Sequence, residues 1–78
     1  MTESEKKYLK IIGNNIARLR KSRNLTQFDV CTEIGMEEPN LSSIENGHQN
    51  VTTLTMKKIA DTLRVEVKEF FEINNKDS

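Results

Sequence analysis

Apolar residues recur along this chain at spacings of three and four, the pattern of helices buried along one face. From Tyr8 they fall at Leu9, Ile12, Ile16 and Leu19. This predicts a first helix that starts near Tyr8 and ends near Ser22–Asn24, with Lys21 and Arg23 at the negative end of its dipole. Gly13 interrupts that run at a small cost in helix propensity. Thr26 is suited to cap a second helix over about residues 27–34, where Val30, Cys31 and Ile34 share a face. Gly35 stops it in a left-handed turn. A third short helix is expected over about residues 37–45, with Pro39 in the first turn, where a missing N–H is tolerated. Its inward residues are Leu41 and Ile44, and Asn46-Gly47 ends it. Thr52 caps a fourth helix that buries Met56, Ile59, Ala60 and Leu63. Arg64 stands where a C-terminal glycine would be comfortable. Val67, Phe70 and Phe71 belong to a last short helix. The pattern predicts an all-α, five-helix domain over residues 8–73, flanked by flexible polar tails at 1–7 and 74–78.

Composition narrows the class. At 78 residues the chain holds one small core and leaves no room for a separate sensing or catalytic domain. The N-terminus carries acids and no apolar run, so no signal peptide is expected, and no stretch approaches the roughly 18 apolar residues of a membrane span. A single cysteine cannot form an internal disulfide, which fits a cytoplasmic protein. Net charge is zero, yet its distribution is uneven: residues 1–25 carry seven Lys/Arg against two Glu, whereas residues 26–50 carry five acids and no Lys/Arg. A nucleic-acid binder usually presents a basic footprint, and here it can come only from the first segment and scattered later lysines.

Two short helices joined by a tight glycine turn form a helix-turn-helix. The ordered string is more specific than the turn: Arg20, then Leu25-Thr26-Gln27, Gly35, Ile44-Glu45-Asn46-Gly47, and the run from Ile59 to Phe71. In these pieces the chain resembles the phage repressor/Cro-like (XRE-type) helix-turn-helix family over roughly residues 11–72. Its small size is similar to that of restriction–modification controller proteins and other short autoregulators. The resemblance implies a compact, lambda-repressor-like fold that binds double-stranded DNA, with helix two across the phosphate backbone and helix three in the major groove. It implies backbone contacts from Thr26, Gln27, Asn46, His48, Gln49 and Asn50, and an ion pair between Arg20 and Glu45. Base readers on helix three are Glu38, Pro39, Asn40, Ser42 and Ser43; Asn matches adenine, Glu accepts from cytosine and Ser serves either way. The family more often has Ser, Thr, Gln or Arg where Glu37 and Glu38 stand. These two carboxylates read either as base contacts or as capping and dipole groups.

With few lysines on the docking face, affinity per monomer is expected to be modest, so a homodimer on a pseudo-palindromic operator is expected. Val65, Val67, Phe70 and Phe71 are the candidate dimer face; Val67 and Phe70 read equally as core. The basic run Arg18, Arg20, Lys21 and Arg23 either steers the protein to DNA or is a solvated helix end. Phe28 either packs on helix one or the N-terminal tail, or marks a partner surface. Cys31 reads as a buried structural thiol. One Cys and one His fall short of a zinc site, and there is no Gly-rich phosphate loop, paired-carboxylate site or Ser/His/Asp set. No cofactor and no enzymatic activity are expected. The rival reading is an antitoxin-like protein-interaction module on the same scaffold, which the acidic middle segment favours.

Overall fold

The computed structural model describes residues 1–73. The tail expected at 74–78 lies outside the described residues. Helix α1 spans Glu3–Ser22, α2 Gln27–Ile34, α3 Glu38–Glu45 and α4 Thr53–Leu63; a 3-10 helix, Val67–Phe71, follows. No strand occurs among the described residues.

The first helix starts five residues earlier than its apolar periodicity suggests, so residues 3–7 are helix rather than tail. The cause is a capping box: the Thr2 hydroxyl accepts from the Glu5 N–H at 3.1 Å, and the Glu5 carboxylate accepts from the Thr2 N–H at 2.8 Å. Glu3 and Glu5 also favour the positive end of the dipole. This turn buries nothing, and so it leaves no mark in the hydrophobic pattern.

Helix α1 packs against α3 and the 3-10 helix, while α2 packs against α3 and α4. Ile16, Leu41, Ile59, Leu63 and Phe70 fill the centre. Gly13 is needed where α1 crosses α3: a Cβ there would meet the Ile44 carbonyl and stand 2.6 Å from the Glu45 carbonyl oxygen. The sequence reading gave it only a propensity cost. Helix α4 is capped by the Thr52 hydroxyl and ends at Arg64, a non-glycine residue in the left-handed region at φ +59°.

The 3-10 helix settles the ambiguity at Phe70, which is fully buried (0% exposed) and therefore core rather than dimer surface. Val65 and Val67 are half-buried against the same core. Buried Asn15 holds this segment, donating from Nδ2 to the carbonyls of Phe70 at 2.9 Å and Glu72 at 2.7 Å. Among the candidate dimer residues Phe71 is the one left exposed, at 37%, with its ring centroid 6.2 Å from that of Tyr8.

Candidate nucleic-acid interface

The α2–turn–α3 unit is built by local rules. The Thr26 hydroxyl accepts from the Asp29 N–H at 3.0 Å, and the Asp29 carboxylate accepts from the Thr26 N–H at 2.9 Å. The Thr26 backbone N–H foremost, and then the Thr26 hydroxyl, hold the Asp29 carboxyl below its ordinary pKa. Helix α2 ends at Gly35, φ +72°, and the N–H groups of both Gly35 and Met36 donate to the Cys31 carbonyl. A Cβ at Gly35 would meet nothing within 4 Å, so its backbone angle rather than space requires glycine there.

Helix α3 turns Leu41, Ile44 and Glu45 inward. At about 100° per residue, Pro39 and Ser43 lie on the opposite side of the helix, with Asn40 and Ser42 flanking them. Glu38, Pro39 and Asn40 are exposed, and Ser42 and Ser43 are half-buried. Glu38 lies nearer the Glu45 edge, off the centre of this outer face. Glu37 occupies the N-cap position of α3 but makes no side-chain capping hydrogen bond, so the capping role considered for it is not present. The remaining contribution of Glu37 and Glu38 to the helix is through its dipole.

A buried charge cluster fixes how α3 sits. Arg20 donates from Nε to Glu45 Oε2 at 2.7 Å, from Nη2 to Glu45 Oε1 at 3.0 Å, and from Nη1 to the Leu25 carbonyl at 2.8 Å. Gln27 Nε2 donates to Glu45 Oε1 at 2.9 Å. Arg20 is 8% exposed and Glu45 6%, so each charge depends on the other for its missing hydration. One cluster thus ties α1, the start of α2 and the end of α3 together. Gln27, expected on a phosphate, has one amide hydrogen committed to this cluster. Its second amide hydrogen and the N–H groups of Gln27 and Phe28 have no acceptor among the described residues, as expected at a helix start.

Beyond α3, Asn46, His48, Gln49 and Asn50 are all exposed. Asn46 donates from Nδ2 to the Ser42 carbonyl at 2.8 Å, closing the C-terminus of α3. Two side-chain bonds that the sequence pattern does not signal also shape the region. Asn15 anchors the 3-10 helix, and Arg23 donates from Nε to the Leu63 carbonyl at 2.9 Å, closing the end of α4. Arg18 donates to Asn15 Oδ1 at 3.2 Å. The arginines of the basic run are therefore engaged within the fold. Long-range hydrogen bonds of this kind carry no periodic signal.

Phe28 is 62% exposed, so it does not pack on α1 as one reading held. Cys31 is buried, and desolvation foremost, with the nearby charges of Glu38 and Glu45, pushes its thiol pKa up; this disfavours the thiolate a nucleophile needs. Among the described residues no group of three or more His, Cys, Asp or Glu is placed to hold a metal, and no helix is long and apolar enough to cross a membrane.

Comparison with known proteins agrees with this architecture. A family model described as Helix-turn-helix matches residues 16–70. The chain is 41% identical over 56 residues to the HTH-type transcriptional regulator y4dJ of Sinorhizobium fredii, covering 72% of this chain and 73% of that protein. It is 35% identical over 60 residues to the control protein C.MunI of a Mycoplasma species, covering 76% and 81%. The crystal structure of the restriction-modification controller protein C.AhdI from Aeromonas hydrophila superposes with a TM-score of 0.77 at 27% identity, covering 81% of this chain and 96% of that one. With its capped α2, left-handed glycine turn and internally locked α3, this chain belongs to the XRE-type helix-turn-helix family.

Proposed function

We propose that this protein is a sequence-specific, double-stranded-DNA-binding transcription regulator that acts as a homodimer on a pseudo-palindromic operator. The observation that carries the reading is the outer face of α3. Pro39, Asn40, Ser42 and Ser43 face outward from a helix whose orientation is fixed from behind by the Arg20–Glu45–Gln27 cluster. A rigid polar helix of two turns fits the major groove, where amide and hydroxyl groups match the donors and acceptors of base edges. Asn40 is suited to adenine, Ser42 and Ser43 to either partner of a pair, and Pro39 to a thymine methyl. Glu38, at the edge of the face, is suited to accept from cytosine N4.

Phosphates are gripped on either side. The free N–H groups at the start of α2, the remaining Gln27 amide hydrogen and the Thr26 hydroxyl proton form one set. Asn46, His48, Gln49 and Asn50 form the other. Two-fold pairing through Phe71, flanked by the half-buried Val65 and Val67, places two recognition helices on successive turns of one duplex face. Occupancy then controls transcription by blocking polymerase or recruiting it, and a DNA-binding regulator of this kind works in the cytoplasm. The similarity to C.MunI and C.AhdI supports a controller-type role.

The direct test is an electrophoretic shift with the DNA upstream of the protein's own gene, at two salt concentrations. A shift that weakens with salt supports the reading, and no shift on any duplex in dilute buffer rejects it. A second reading, a protein-binding module, has one observation in its favour: exposed Phe28 lines a surface depression with Asp29, Glu33 and Asp61. Co-purification of a defined second polypeptide that is lost on Phe28→Ala supports it.

A further inference from the structure

The capping box at Thr2 has a consequence for where positive charge lies. It extends α1 so that Lys6 and Lys10, one turn apart, stand on a formed helix beside the loop that follows α3. Lys6, Lys10, Asn46 and His48 line one surface depression of about 450 Å³. The loop is seated closely there: a Cβ on Gly47 would stand 2.8 Å from the Lys10 Cα. Lys10 has no ion-pair partner among the described residues, and Lys6 has only an exposed 3.6 Å contact with Glu3. Of the arginines in the first segment, Arg20 is buried on Glu45, whereas Arg18 and Arg23 are exposed and held by hydrogen bonds to Asn15 and to the Leu63 carbonyl.

From this placement we propose a further phosphate-binding site, made by Lys6 and Lys10 of α1 together with Asn46 and His48, that takes the DNA backbone on the rim of the groove beyond the C-terminus of α3. The inference rests on the DNA-binding reading above and deepens it. Both lysines stand on α1 beside the loop that runs out of α3. Two cations one helical turn apart, about 6 Å, match neighbouring phosphates on a strand. Asn46 donates one amide hydrogen to the Ser42 carbonyl, which steadies the loop, and His48 adds a ring N–H donor. The site also bears on the charge problem of a chain with no net charge: it sets two lysines beside the loop where the backbone would pass, while of the acids in residues 26–50 Glu45 is neutralised by Arg20.

The test compares the full chain with Lys6→Gln/Lys10→Gln and with a charge-matched control, Lys58→Gln/Lys68→Gln. The control removes lysines from α4 and from the 3-10 helix. All four side chains are exposed, and glutamine keeps the helix. The probe is a 24-base-pair duplex of mixed sequence, titrated by fluorescence anisotropy between 50 and 200 mM salt. Loss of two phosphate contacts per protomer lowers the slope of log K against log salt by about 1.8 per protomer and weakens binding at low salt by roughly tenfold or more. The control is expected to change neither by more than a fraction of that. An unchanged slope in the Lys6/Lys10 variant, or an equal change in the control, overturns the site while DNA binding stands. Failure of the unaltered protein to bind the duplex overturns the underlying reading, and this site with it.

Discussion

Arg20 and Glu45 are two buried charges that face one another from different helices, and neither is tolerable alone. Removing one partner of such a pair leaves the other desolvated, which costs about 3–5 kcal/mol. Arg20→Met is therefore expected to lose about that much stability in urea denaturation, a large share of the 5–15 kcal/mol typical of a whole domain. An unchanged midpoint contradicts the role given to the pair. Asp29 has a different dependence. Accepting the Thr26 N–H lowers its pKa below the ordinary 3.8, so the ionised carboxylate is bound more tightly in the folded state. Its contribution is present above that pH and is lost as pH falls through the folded-state value. The stability difference between the unaltered protein and Asp29→Asn is expected to be constant from pH 7 to about 5 and to close below pH 4. A difference that persists into strong acid contradicts the charged capping bond. Neither dependence is visible in a hydrophobic pattern. The Arg20–Glu45 pair was legible only because their place in an ordered motif suggested it, whereas the bonds made by Asn15 and Arg23 were not, because their acceptors are backbone carbonyls distant in sequence.

At the scale of the elements, backbone geometry decides. Gly13 allows α1 and α3 to touch, and Gly13→Ala is expected to destabilise by about 3 kcal/mol or more, since the atoms it meets are main-chain carbonyls that cannot turn away. Arg64 holds the left-handed end of α4 at a steric cost that glycine does not carry. Arg64→Gly is accordingly expected to raise stability by about 1 kcal/mol, read as a higher melting temperature; a decrease contradicts the strain argument. Helices α2, α3 and α4 were legible almost to the residue because each has a start signal (a Thr cap for α2 and α4, Pro39 in the first turn of α3), a three-four apolar face and a left-handed or Asn-Gly stop. The start of α1 was not, because its first turn is fixed by Thr2 and Glu5 alone and buries no apolar group. Phe70 and Phe71 could not be separated in sequence. A single step of a 3-10 helix sends one into the core and leaves the other on the surface.

For the whole molecule, the fold leaves a small apolar surface beside the N-terminal half of α1. Phe71 and Tyr8 lie together there, with exposed Ile73 on the adjoining chain. In the dimer reading, Phe71→Glu is expected to leave folding intact and to yield monomers in sedimentation velocity, with binding to a two-half-site duplex falling accordingly; an unchanged mass contradicts that face. The central claim is that the outer side of α3 reads bases, and binding-site selection from a random duplex library tests it most directly. The account predicts that the unaltered protein enriches two inverted half-sites with centres about 34 Å apart or a multiple of that. It predicts that Asn40→Ala relaxes one position in each half-site by about 1–3 kcal/mol and leaves the rest of the consensus intact. No enriched sequence, or the same consensus from Asn40→Ala and Ser43→Ala as from the unaltered protein, would contradict it.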